Sequence, residues 1–206
     1  MTSKSAKSAA KYFRPQPQPD MCETTSVKII LDELSARHKK PRLKVSIKTL
    51  NKYYSYRRGS GTDSVVGIDE LNDHVNSQGY RVRVEYGSGS TMEILKQIVE
   101  KDDCSFPIIS VNHAYFQEQN LRYKTSGETK MEHVLVVLGV NRDVQFFDPY
   151  ESFLMKSTHV DEVCNSLSKP KVLNLWDNTV QPRWMVWIER VEPRLEHYGV
   201  SVSEED

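Results

Sequence analysis

The chain has 206 residues, which is enough for one domain with a substantial hydrophobic core. Lysine plus arginine and aspartate plus glutamate each number 28, so the formal net charge is zero. This balance argues against a nucleic-acid-binding protein driven by overall charge, and no apolar run approaches the roughly 20 residues of a transmembrane helix.

The chain ends are predicted to lie outside the folded domain. Residues 1–11 contain lysines and small residues without the apolar segment of a secretory signal, so we expect a flexible tail. Residues 12–191 show no internal repeat and no linker, which predicts a single domain. Residues 192–206 form a polar C-terminal tail.

The first predicted helix follows a proline-rich segment. Residues 12–19 are expected to be extended, because each proline fixes its own φ and biases the preceding residue away from the helical region. Asp20 is predicted to be the N-cap, with Glu23 completing a capping box. One apolar face of the helix is formed by Val27, Ile30, Leu31 and Leu34.

The remaining pattern places mostly helices before a sheet. Helices are predicted over residues 48–57, 68–77, from Ser90 onward after a second capping box, and over 158–167, which includes Cys164. Strands are predicted over residues 80–86, 108–111, 133–140, 144–147 and 183–191. The polar segment 114–131 is predicted to be a binding or lid loop. This order is typical of an α+β fold with an antiparallel sheet.

Cys22 is the candidate nucleophile. The three cysteines are an odd number without C-x-x-C spacing, which disfavours a disulfide scaffold and a structural zinc site and favours a reducing cytoplasm. We therefore expect a cytoplasmic protein without a metal or cofactor. A thiol becomes a strong nucleophile as a thiolate, which a helix N-terminus and a neighbouring imidazolium both favour.

His133 and Asp148 are the candidate base and orienting residue. His133 opens one predicted strand and Asp148 closes the next, so an antiparallel hairpin brings them to the same end of strands roughly 5 Å apart. Gln16, on the extended entry to the helix, is a candidate side-chain donor for an oxyanion hole, together with the N–H of Cys22. Gln18 is the alternative donor.

These motifs resemble the papain-like cysteine peptidases of the bacteriocin-processing group, which cleave leader peptides after paired glycines, and their stand-alone relatives. That family has a glutamine, a cysteine on the first helix, a histidine opening a strand of the form H-x-V-V-x-x-G, and Asp-Pro. This chain has Gln16, Cys22, the segment 133–139 (HVLVVLG) and Asp148-Pro149. The resemblance covers residues 12–150 and implies a papain-like fold, a peptide or protein substrate and a Cys–His–Asp triad with a glutamine in the oxyanion hole. No membrane segment follows, so we expect a form without a fused transporter.

Glu23 departs from the family pattern, which has glycine after the cysteine. A carboxylate beside the thiol disfavours the thiolate, unless the side chain points away and caps the helix. Three alternatives to a peptidase stay open. The same residues could serve a glutamine deamidase or acyltransferase acting on a protein partner, or Glu23 could mark a catalytically silent peptide-binding relative. The third is a nucleic-acid-binding module that uses the cations at 39–48, but these are interpreted as a solvated surface, so no nucleic-acid partner is expected.

Overall fold

The structure is a computed structural model of the chain, and it describes residues 9–112, 132–156 and 164–191. The segment 114–131, His113 and most of both predicted tails lie outside these residues. The boundaries of the predicted domain therefore stay a prediction.

The described residues contain six α-helices. They are α1 (Cys22–Arg37), α2 (Ile47–Tyr53), α3 (Ser64–Asn76), α4 (Met92–Glu100), α5 (Pro149–Met155) and α6 (Lys169–Asp177). Short 3-10 turns span Ala10–Tyr12, Pro41–Leu43 and Gly87–Gly89.

A six-stranded sheet runs through the centre of the described structure. Its strands are β1 (Tyr80–Glu85), β2 (Ile108–Asn112), β3 (Glu132–Val140), β4 (Asp143–Phe147), β5 (Cys164–Ser168) and β6 (Met185–Arg190). They lie in the order β1-β6-β2-β3-β4-β5, and every paired neighbour is antiparallel. In the β3–β4 hairpin Val136 pairs with Phe147, so the first residues of β3 and the last residues of β4 lie at the same end of the sheet.

Apolar side chains cover both faces of this sheet. On one face α1, α2 and α3 pack against strand residues that include Val134, Val136 and Val186. On the other face α4 and α6 pack against residues that include Leu135, Val137 and Met185. Because β3 contributes to both clusters, its continuous apolar run is that of a buried central strand, as predicted. The predicted α+β class is confirmed.

Two helix boundaries differ from the prediction. The helix predicted over residues 48–57 ends at Tyr53, and Ser55 follows with a positive φ of 46°. The helix predicted over residues 68–77 begins at Ser64, because the Asp63 side chain accepts a hydrogen bond from the N–H of Val66 as an N-cap.

The helix predicted over residues 158–167 is wrong over 164–167, which belong to β5, and residues 158–163 lie outside the described residues. Cys164 opens β5 and pairs with Phe147 at the end of β4, so tertiary strand pairing decides its conformation. Two helices, α5 and α6, were not predicted. Each has a proline in its first turn, where the missing N–H has no helical partner to lose.

Candidate active site

Cys22 is the first residue of α1, so it lies where backbone N–H groups have no partner within the helix. Unpaired donors at a helix N-terminus favour negative charge on a neighbouring group. The expected N-cap was wrong: Met21 occupies that position without a capping hydrogen bond from its side chain. Asp20 instead accepts hydrogen bonds from the Tyr56 hydroxyl, at 2.7 Å, and from the N–H of Gly59.

The predicted proximity of His133 and Asp148 is confirmed. His133 lies at the start of β3 and is 3 % exposed, and its Nε2 is 2.7 Å from Asp148 Oδ1. Asp148 is fully buried and also accepts a hydrogen bond from the N–H of Tyr150, since it caps α5. The cap fixes the carboxylate, and the carboxylate fixes the orientation of the imidazole.

The charge of His133 is set by two neighbours. Burial lowers the pKa of His133, but the charge and hydrogen bond of Asp148 and the hydrogen bond of Cys22 raise it by more, to about 10. The ring is therefore protonated at neutral pH. Because Nε2 faces Asp148, Nδ1 is the nitrogen left for Cys22. An imidazolium in contact with a thiol favours the thiolate form.

Gln16 is tied to the same region by its backbone. Its N–H donates to the carbonyl of Pro149 at 3.2 Å, directly after Asp148. The side chain is 1 % exposed, and its Nε2 donates to the carbonyl of Gln18 at 2.8 Å. Gln16 does not belong to the lining of the adjacent cleft, whereas Gln18 does.

A cleft of about 680 Å³ opens beside Cys22 and His133. On the helix side it is lined by Cys22 and Glu23, and on the sheet side by residues that include Ser110, His133 and Trp184. A third wall comes from the segment 58–64. Its turn is closed by two backbone hydrogen bonds between Gly61 and Arg57, the residue before the segment. This volume is typical of a binding site for a small ligand or a few residues of a peptide.

Glu23 is turned into the wall formed by segment 58–64. Its Oε2 accepts hydrogen bonds from the hydroxyls of Thr62 and Ser64, the latter at 2.8 Å. Burial raises the pKa of this carboxyl, which favours its neutral form. Glu23 therefore neither caps α1 nor stands as a free carboxylate beside the thiol.

Sequence reasoning missed the third wall and the polar residues of the sheet side. The two glycines of this wall, Gly59 and Gly61, both have positive φ and build its turn. Ser110 lies in a strand predicted from its apolar neighbours. A polar residue in the middle of an otherwise apolar strand is the feature of the sequence that could have identified Ser110 as a site residue.

Within the described residues, Cys22, Cys104 and Cys164 form no disulfide bond with one another. Among the described residues, no group of three histidine, cysteine, aspartate or glutamate side chains is arranged to hold a metal ion. None of the described helices combines the length and the apolar character needed to cross a bilayer.

The sequence matches the model of the Peptidase_C39-like family over residues 10–182. The chain belongs to this family. It is accordingly a thiol peptidase with a papain-like α+β fold, as the sequence motifs predict.

Beyond its family, this Peptidase_C39-like chain has little similarity to the proteins with which it was compared. No curated protein matches its sequence. Among solved structures, the crystal structure of the Pseudomonas avirulence protein AvrPphB is similar with a TM-score of 0.32 and 9 % sequence identity. That match covers 90 % of this chain and 100 % of the other.

Proposed function

We propose that the chain hydrolyses peptide bonds through Cys22, His133 and Asp148, with Gln16 and the N–H of Cys22 as the oxyanion hole. The observation that carries the proposal is the position of His133. It is hydrogen-bonded to Asp148 at 2.7 Å, it lines the same cleft as Cys22, and Cys22 is among the neighbours that raise its pKa. A nucleophile, a base in contact with it and a third group orienting that base are the arrangement required for acyl transfer.

In the first half-reaction the Cys22 thiolate attacks the carbonyl carbon of the substrate. The negative charge that develops on the carbonyl oxygen is stabilised by the N–H of Cys22 and by the amide of Gln16, which leaves the Gln18 carbonyl to reach it. The His133 imidazolium gives its proton to the leaving nitrogen, the C–N bond breaks, and a thioester forms on Cys22. Asp148 holds the ring in one orientation throughout.

In the second half-reaction a water molecule attacks the thioester. His133, now neutral, takes a proton from the water, the C–S bond breaks, and the carboxylic acid product leaves. The thiolate and the imidazolium are thereby restored. Glu23 does not silence this cycle, because the hydroxyls of Thr62 and Ser64 hold its Oε2 and burial favours the neutral carboxyl.

The test is digestion of a library of proteome-derived peptides, with new termini identified by mass spectrometry and ammonia measured in parallel. The wild-type chain should generate new termini that are lost with Cys22→Ala and retained with Cys164→Ala. The Cys164 control removes a half-buried thiol that does not line the cleft. New termini that persist in Cys22→Ala, or Cys22-dependent ammonia without new termini, would contradict peptide hydrolysis.

A further inference from the structure

The cleft carries more acidic than basic side chains. Among the described residues, three carboxyl groups line it, from Asp20, Glu23 and Glu132. The basic side chains of the lining are Arg58 and His133, and His133 is already paired with Asp148. The donors that reach these carboxyls are neutral: Tyr56 and Gly59 for Asp20, hydroxyls for Glu23, and the N–H of Val180 for Glu132. No ion pair within the described part of the chain involves any of the three.

Two buried polar atoms on different walls of the cleft have no hydrogen-bond partner among the described residues. They are Oε1 of Glu23, on α1, and Oγ of Ser110, on β2. Both residues are almost fully buried, at 5 % and 2 % exposure. Folded proteins rarely leave such atoms unpaired, since buried polar groups are nearly always hydrogen-bonded. A ligand that brings several donors would satisfy both.

We propose that Glu23 and Ser110 form a substrate subsite beside Cys22 that takes a basic side chain, lysine or arginine, of the peptide. The inference rests on the proposed peptidase function. An ammonium or guanidinium group supplies several N–H donors and no acceptor, which matches a carboxyl oxygen and a hydroxyl oxygen. It also brings a positive charge to carboxyl groups whose hydrogen-bond donors are otherwise neutral.

The electrostatics of Glu23 support a cation as the occupant. Burial is the main reason that the Glu23 pKa is raised, and the negative charges of Asp63 and Glu132 raise it further. An incoming cation would reverse this effect by favouring the ionised carboxylate. An acidic side chain would instead add a further negative charge to the same wall.

Tyr54 is a neighbour of Glu23 in the protein interior, and its hydroxyl is the alternative to a substrate cation as the partner of Glu23. The Tyr54 hydroxyl is buried and has no hydrogen-bond partner within the described part of the chain. Burial, together with the charge of Glu23, raises the Tyr54 pKa well above its ordinary value. Tyr54 does not line the cleft. A Tyr54→Phe variant therefore separates a role of Glu23 toward the substrate from a role toward the protein interior.

The test uses peptidyl chloromethyl ketones, which alkylate an active-site thiol without needing turnover. The reagents carry lysine, or norleucine as its neutral counterpart, at one of the two residues nearest the reactive carbon. Intact-mass spectrometry gives the rate of modification of Cys22. We expect lysine at one of these positions to react about tenfold faster than norleucine, the size expected for a hydrogen bond to a charged group.

The variants decide the assignment. Glu23→Gln should bring the lysine-to-norleucine ratio close to one, whereas Tyr54→Phe and Glu70→Gln, an exposed carboxyl on α3, should keep it. A wild-type ratio of one or less at both positions, or a ratio that survives Glu23→Gln, would overturn the subsite while leaving the peptidase proposal intact. If no reagent modified Cys22, the proposed function would fail, and the subsite with it.

Discussion

His133 Nε2 lies 2.7 Å from Asp148 Oδ1, across the open end of the hairpin formed by β3 and β4. The two residues are 15 positions apart in sequence and both are buried. Asp148 also caps α5, so one carboxylate orients the imidazole and starts a helix. Because one carboxylate does both, the charge of His133, the proposed base, depends on the backbone that follows Asp148.

Replacing Asp148 with asparagine should move the alkaline limb of the pH–rate profile to lower pH. In the proposed mechanism His133 acts as a general acid while it is protonated, and Asp148 helps to raise its pKa to about 10. Removing this charge lowers the pKa, so the fall of kcat/KM with rising pH should move to lower pH by about one unit or more. The measurement is kcat/KM against pH for both proteins.

Asp143→Asn is the matched control for that experiment, because Asp143 lies at the opposite end of β4. Its alkaline limb should coincide with that of the wild type. An alkaline limb in Asp148→Asn that stays at the wild-type position would show that Asp148 does not set the charge of His133.

Gln16→Ala should lower kcat by about 10²–10³ with little change in KM, because the donor acts mainly on the transition state. Gln18→Ala is the comparison, since Gln18 lines the cleft and its carbonyl accepts the Gln16 side chain. Melting temperatures of both variants would show that each is folded. A loss of kcat in Gln18→Ala alone would assign the oxyanion donor to Gln18.

Glu23→Gln should become increasingly stabilising, relative to the wild type, as pH rises. The folded-state pKa of Glu23 is raised above its ordinary value of 4.5, so its contribution to stability is present below that value. The contribution is lost as pH rises toward the folded-state pKa, and glutamine has no such loss.

Thermal unfolding across a pH series measures this effect of Glu23. The difference in melting temperature, variant minus wild type, should grow above pH 4.5, the ordinary glutamate value. Glu70→Gln, which removes an exposed carboxyl, should give a nearly constant difference. A constant difference for Glu23→Gln as well would mean that its carboxyl titrates normally in the folded protein.

Gly67→Ala should destabilise the fold although alanine is the better helix former. A Cβ at Gly67, within α3, would lie 2.2 Å from atoms of the buried Tyr54 ring. Overpacking of this kind costs about 1–3 kcal/mol. Urea unfolding measures the effect, with Val65→Ala at a 68 % exposed position of the same helix as control. A Gly67→Ala variant as stable as the wild type would contradict this close packing.

The hairpin that joins His133 to Asp148 was predictable because its information is local. An apolar strand, the turn at Asn141 and a second strand fix the topology, and the topology brings the two ends together. The inward face of α4 was predictable for the same reason, since Met92, Leu95, Ile98 and Val99 are buried as their spacing indicates.

The errors arose where distant residues decide the outcome. Asp20 has the local pattern of an N-cap, but its partners Tyr56 and Gly59 lie 36 and 39 residues further along the chain. Cys164 begins a short polar strand whose conformation comes from pairing with β4. Such tertiary contacts override local preference and leave no periodic signal in the sequence.

The central claim is that Cys22 is activated by His133, and its reaction with iodoacetamide tests this claim most directly. Peptide mapping reads Cys22, Cys104 and Cys164 in one sample, so the other two thiols serve as internal controls. We predict that at slightly acidic pH Cys22 is alkylated much faster than Cys164, and that His133→Ala abolishes the difference. Alkylation of Cys22 no faster than that of Cys164, or a Cys22 rate unchanged in His133→Ala, would contradict the account.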